Sequence, residues 1–235
     1  MSEHVTYTLT DGIATIRLCD GKVNAISFEM LAQLNKAFDR AEAAQAVVIL
    51  CASPGTFCAG FDLKTMLSGL ENAMDLTAQG FDFARRLLTF PTPVVCAIGG
   101  HAMAMGSYLP LGCDYVVGAE GDYKIGMNEV AIGMAMPHTG IVIAEDRLAK
   151  PFVRRAVMNA ELFDPQTAKD AGFLHEVIAT DCLMECARAH AERLSSLNMT
   201  AFAQTKLKSV GPLLRRLEQA VERDKKENFL GGMDQ

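Results

Sequence analysis

No run of about eighteen uninterrupted apolar residues occurs in the chain. That is the length a helix needs to cross a bilayer, so no membrane span is expected. A basic surplus is also missing: 22 Lys and Arg stand against 28 Asp and Glu, a net charge of −6, which argues against a nucleic-acid partner. The cysteines do not form an even set. Seven are present (Cys19, Cys51, Cys58, Cys96, Cys113, Cys182 and Cys186), several inside apolar runs, a pattern that fits buried thiols in a reducing compartment better than a disulfide framework. Cys182 and Cys186 have helical spacing, but no second pair completes four ligands, so no metal site is expected. The opening MSEHVTYTLTDG lacks the basic patch and apolar core of a signal peptide. A cytoplasmic location follows as the expectation.

What is present is enough apolar residue for a large core. Half of the 235 residues are hydrophobic, which predicts one domain with a small appendage. Alternating runs Val5 to Leu9 and Ile13 to Leu18 flank Asp11-Gly12, a hairpin signal. Ser27 can cap a helix whose Met30, Leu34, Ala37, Phe38 and Ala41 share one face. Val47 to Cys51 reads as a buried strand, SPGTFCAG as a loop, Asp62 as a helix start, and Glu71 to Phe90 as a long helix. Strands and helices in alternation predict an α/β fold with parallel strands joined by crossovers.

The chain is organised around PVVCAIGGHAMAMGSYLPLGCD, Pro93 to Asp114. Its first part is a β-branched strand. Small and flexible residues, His101 to Ala104, then lead into a helix from about Met105 to Gly112. Free backbone N–H groups and the positive end of the helix dipole meet at such a turn, which suits it to hold a negatively charged oxygen. Further on, Tyr115 to Gly118 and Tyr123 to Ile125 read as strands, and Gly126 to Pro137 as a loop with one helical turn. Helices are expected over Ile141 to Leu148 and Phe152 to Met158, separated by Pro151, and from Asp164-Pro165 to Gly172. After a short strand at Val177-Ile178, Asp181 to Phe229 is helical in pattern, with breaks around Asn198 and at Gly211-Pro212. The domain reading is a core of 1–195 and a C-terminal helical segment of 196–235.

Four motifs in consistent order carry a family resemblance: FCAGFDLK (Phe57 to Lys64), IGGHAMAMGSYLPLGCDYVVGAE (Ile98 to Glu120), YKIGMNEVAIGMAMP (Tyr123 to Pro137) and AKDAGFLHEVI (Ala168 to Ile178). The chain resembles the crotonase, or enoyl-CoA hydratase/isomerase, superfamily. That resemblance implies a spiral of repeated strand-strand-helix turns closed by a C-terminal helical lobe, with the lobe used for trimerisation and pocket closure. It also implies an acyl-CoA thioester substrate, with coenzyme A entering as part of the substrate and no separate cofactor. Relatives assemble as trimers or pairs of trimers.

Carried over residue by residue, the resemblance puts two oxyanion-hole N–H donors at Phe61 and Met105. Each such donor is typically worth about 3 to 4 kcal/mol toward an enolate. The substrate-binding positions implied are Lys22, Val23, Ala59, Gly60, Asp62, Leu63, Gly106 and Tyr108, with Lys22 and Val23 near the phosphates of the coenzyme. Hydrating relatives hold water between two glutamates. Here the first of those positions falls on Tyr108 and the second, allowing one extra residue, on Glu129. One carboxylate can move a proton between two carbons on one face, so the expected reaction is that of a Δ3,Δ2-enoyl-CoA isomerase. Hydratase, other lyase or hydrolase chemistry and a non-catalytic CoA-binding protein are the alternatives. Glu129 is the proposed acid/base, and an apolar surround of Met127, Val130, Ile132 and Met134 should raise its pKa. Tyr108 is expected to pack in the core, His101 to bond backbone, and Cys58 to be inert. Met66, Met103, Met105, Met127, Met134 and Met136 are candidates for an adaptable acyl pocket.

Overall fold

The opening hairpin sets the first edge of the sheet. β1 (Val5–Thr10) and β2 (Ile13–Leu18) pair antiparallel, with Thr10 opposite Ile13. Only Asp11 (φ 52°) and Gly12 (φ 74°) lie between them, and two successive positive φ angles are what a type I′ hairpin turn requires. The computed structural model describes residues 3–227.

In α1 (Phe28–Ala43) the Ser27 side chain accepts from the Met30 N–H, and Met30, Leu34, Ala37, Phe38 and Ala41 are buried together. Next comes β3 (Val47–Ala52), then β4 (Gly55–Cys58), the four-residue α2 (Leu63–Met66) and the long α3 (Leu70–Thr89). The central stretch supplies β5 (Val94–Ile98), β6 (Gly100–Met103) and α4 (Met105–Leu111). The chain continues through β7 (Tyr115–Ala119) and β8 (Ile125–Gly126), then one 3-10 turn at Val130–Ile132. It finishes with α5 (His138–Arg147), α6 (Lys150–Val157), α7 (Pro165–Ala171), β9 (Glu176–Ile178), α8 (Leu183–Ser195) and α9 (Met199–Asp224).

Two sheets result. Six strands run in the order β1-β2-β3-β5-β7-β9 and three in the order β4-β6-β8; every pairing except the hairpin is parallel. Each of β3, β5 and β7 in the large sheet is followed by a short strand of the small one. This is the strand-strand-helix spiral that the resemblance implies. The period of two along β3 divides the core: Val48 and Leu50 join the main cluster, while Ile49 and Cys51 pack with Ala187, Ala191 and Leu194 of α8.

Four expectations change. The segment read as a loop at 53–60 contains β4, and the flexible link at His101 to Ala104 belongs partly to β6. These strands pair with each other, where a Cβ on Gly100 would lie 2.2 Å from the Gly55 carbonyl oxygen. Such pairing depends on glycine contacts distant in sequence, so local pattern does not reveal it. Pro151 lies in the first turn of α6 and does not separate two helices; its missing N–H costs nothing there. At Gly211-Pro212 the helix does not break, and α9 runs through Pro212. Leu213 and Leu217 of α9 enter the main core, and that burial outweighs a proline cost of about 3 kcal/mol. The Asn198 break holds, since its side chain caps α9 by accepting from Ala201 N–H. Phe229, the expected helix end, lies outside the described residues.

Candidate active site

The small sheet delivers the site. Its three parallel strands end side by side, and the residues just beyond those ends include Phe61 after β4, Met105 after β6 and Glu129 after β8. Beyond β4, Ile26 donates to the Gly60 carbonyl (2.8 Å) and accepts from Asp62 N–H (2.9 Å). The intervening Phe61 N–H donates to no backbone carbonyl. Asp62 then caps α2, accepting from the N–H and hydroxyl of Thr65 at 2.9 and 2.6 Å.

Beyond β6, Ala104 holds φ 48° and ψ −125°, a conformation that costs a non-glycine residue of order 1 to 3 kcal/mol. The strain aims the chain sharply into α4, whose first N–H, that of Met105, has no helical partner. Gly60 (φ 100°) presses against this bend: a Cβ there would lie 2.9 Å from Ala104 Cβ and 3.6 Å from Met105 N. The two free N–H groups therefore belong to adjoining turns. Ala104 N–H donates to Gly126 O at 2.9 Å, which brings in the third turn and Glu129.

A cavity of about 140 Å³ opens here, lined by Ala59, Phe61, Leu63, Met66, Thr77, Phe81, Ala104, Asn128, Glu129, Ile132, Met134 and Pro137. Glu129 is 7% exposed, and its Oε2 has no hydrogen-bond partner among the described residues. Burial pushes its carboxyl up to about 7, against a smaller downward pull from its own backbone N–H. Met127 and Met134 are buried as expected, whereas Val130 (45% exposed) and Ile132 (42%) lie largely at the surface.

The model of the enoyl-CoA hydratase/isomerase family matches residues 8–229. The chain belongs to the enoyl-CoA hydratase/isomerase family. Among solved structures it is similar to an enoyl-CoA hydratase/isomerase family protein from Pseudomonas syringae, with a TM-score of 0.94, 46% identity, and 96% and 98% of the two chains covered. The apo enoyl-CoA isomerase of Mycobacterium tuberculosis superposes with a TM-score of 0.92 at 37% identity, covering 97% and 100%. A carnitinyl-CoA dehydratase of Proteus mirabilis is 26% identical over 209 residues, which make up 88% of this chain and 80% of the relative.

Around this cavity the positions taken from sequence fall into four groups. Phe61, Ala59, Leu63 and Glu129 line the cavity. Gly60, Asp62, Met105 and Gly106 do not line the cavity and sit in the turns beside its lining residues; a Cβ on Gly106 would lie 2.2 Å from Cys58 O. Tyr108 stands apart. It is fully buried, edge-on to Phe81 at 5.2 Å, and its hydroxyl points to Met136 Sδ at 2.9 Å. Tyr108 is not among the residues that line the cavity, and its side chain packs in the core as expected. Lys22 and Val23 are exposed on the loop beside the site, joined to it by Ala59 N–H donating to Val23 O at 3.0 Å.

The side readings can be placed as well. His101, the exposed residue of β6, accepts at Nδ1 from Lys124 N–H at 3.1 Å, and burial pushes the Cys58 thiol up to about 12. Of the six methionines, Met66 and Met134 line the cavity. Cys186 sits with Glu176 and His190; Glu176 Oε1 lies 3.3 Å from its sulfur and 2.6 Å from His190 Nε2. Sequence reading missed Thr77, Phe81 and Asn128 as lining residues. A threonine on the apolar face of α3, beside Ala73, Leu76 and Phe81, is the signal that could have found one of them.

Proposed function

We propose that the protein is a Δ3,Δ2-enoyl-CoA isomerase with Glu129 as its one acid/base group. The observation that carries this reading is the cavity's charge inventory. Glu129 is the only carboxylate among the described residues lining it, and Tyr108 packs away at the position where hydrating relatives place a second one. In the proposed reaction ionised Glu129 takes a proton from C2 of a 3-enoyl thioester. The electron pair moves onto the thioester oxygen, where the Phe61 and Met105 N–H groups stabilise it. The protonated carboxyl returns the proton to C4, leaving the double bond between C2 and C3. Nothing is gained or lost, so no cofactor beyond the coenzyme A of the substrate is required.

Likeness to the human mitochondrial Δ3,Δ2-enoyl-CoA isomerase, with a TM-score of 0.90 at 25% identity, supports this reading; the M. tuberculosis protein is described both as an isomerase and as a probable enoyl-CoA hydratase. Dehydration or hydration is the second reading, favoured by the carnitinyl-CoA dehydratase relative. Assembly as a homotrimer or a pair of trimers, and action in the cytoplasm, belong to the same proposal. An ultraviolet assay of 3-enoyl-CoA conversion, run beside hydration of 2-enoyl-CoA, separates the two readings. Isomerisation at least a hundredfold faster than hydration is expected. Hydration at a comparable or greater rate would replace the isomerase reading with the hydratase one.

A further inference from the structure

The cavity holds more unpaired oxygen than the proposed reaction uses. Five buried side-chain polar atoms lack a partner among the described residues, and three of them belong to residues lining this one cavity: Thr77 Oγ1, Asn128 Oδ1 and Glu129 Oε2. Glu129 is accounted for by proton transfer. Thr77 and Asn128 are not.

A threonine inside a helix commonly donates to the carbonyl one turn back. Thr89 of the same helix does so, to Arg85 O at 3.0 Å. Thr77, only 4% exposed, makes no such bond. A buried hydroxyl left unpaired is destabilising, and in a binding cavity a ligand or water normally supplies its partner. Thr77 stands three residues before Gly80, against which the Phe61 ring and Met105 Sδ rest, so its helix face continues the wall of the site. It also borders a second cleft of about 390 Å³ between α3 and α9, where Asp75, Asp82, Asp224 and Lys225 line the walls with apolar Met74 and Val221. An acyl chain that passes Thr77 toward this largely apolar cleft would meet an unpaired hydroxyl on the way.

We propose that Thr77 and Asn128 form a hydrogen-bonding subsite for a hydroxyl group on the acyl chain, making hydroxylated acyl-CoA thioesters the preferred ligands. A hydroxyl has the donor and acceptor that the two orphans call for: it can donate to Asn128 Oδ1 and accept from the Thr77 O–H, both in the lining of one cavity. The proposal rests on the reading of this cavity as the acyl-CoA site, and its test is binding, which does not depend on isomerase activity.

Calorimetry with saturated ligands that do not react compares hexanoyl-CoA with its 4-, 5- and 6-hydroxy derivatives. At least one hydroxylated ligand should bind the wild type about tenfold more tightly than hexanoyl-CoA. Thr77→Val should abolish that preference, read as the ratio of the hydroxylated-ligand and hexanoyl-CoA affinities in the same variant, and Thr77→Ser, which keeps the hydroxyl, should retain it. Hexanoyl-CoA binding as tightly as every hydroxylated ligand would overturn the subsite, as would a preference untouched by Thr77→Val. If the wild type binds neither these ligands nor coenzyme A, the acyl-CoA reading itself fails and the subsite with it.

Discussion

At Glu129 function and stability pull in opposite directions. The carboxyl has an ordinary value of 4.5 and titrates near about 7 in the fold because it is buried. Below 4.5 it is neutral both folded and unfolded, and burial carries no charge penalty. Between those values the unfolded chain ionises first while the folded protein keeps its proton, so stability falls as pH rises and levels off above about 7. The whole difference corresponds to roughly 3 kcal/mol. Thermal melts should therefore show Glu129→Gln more stable than wild type by several degrees at pH 8 and little changed at pH 4.5. Equal melting temperatures at pH 8 would mean that the carboxylate is not desolvated. The same titration governs catalysis with the opposite sign, because the base must be ionised to accept a proton. A plot of kcat/KM against pH should rise through about pH 7 to a plateau, and a flat profile from pH 5 to 8 would count against Glu129 as base.

Among the elements, the two strand-to-helix turns depend on close backbone approach. Gly106→Ala would place a methyl group 2.2 Å from the Cys58 carbonyl oxygen, separating α4 from β4 and displacing the Met105 N–H. A cost of about 3 kcal/mol in denaturant unfolding is expected; a near-neutral result would show that the turns can slide apart. At this scale local chemistry made much of the fold legible. Asp11-Gly12, Ser27, Asp62, Asp164 and Asn198 all mark ends that their own side chains or φ angles create. The small sheet was hidden because β4 and β6 are four residues each and cross at glycines. For the same reason the contact between the Phe61 and Met105 turns could be expected only from family motifs. Thr77 escaped notice because a threonine within a helix looks unremarkable until its hydroxyl is found without a partner.

The whole molecule is tied together through α9, which joins the core that local pattern had set apart from it. Lys206, 8% exposed, donates to Asp114 Oδ2 at 2.7 Å, and that carboxylate also accepts from Val94 N–H at 2.8 Å where β5 begins. At the other end of α9, Asp224 accepts from the N–H groups of His138 and Thr139 and from the Thr139 hydroxyl, capping α5. Pro212 suggested a break because proline is read by its local penalty; the burial of Leu213 and Leu217 is a tertiary fact. Lys206→Ala removes the counter-ion of a partly buried carboxylate, leaving it only the Val94 N–H, and should lower unfolding stability by about 3 kcal/mol, measured in urea. An unchanged midpoint would show that α9 is not anchored through this pair.

The central claim is that one carboxylate moves the proton, and its most direct test is the rate of 3-enoyl-CoA isomerisation by Glu129→Gln. Glutamine keeps the shape of the side chain and removes its ability to accept the proton. A fall of about 10³-fold or more, in a variant that melts no lower than wild type, is the predicted result. Isomerisation within tenfold of the wild-type rate would contradict the account.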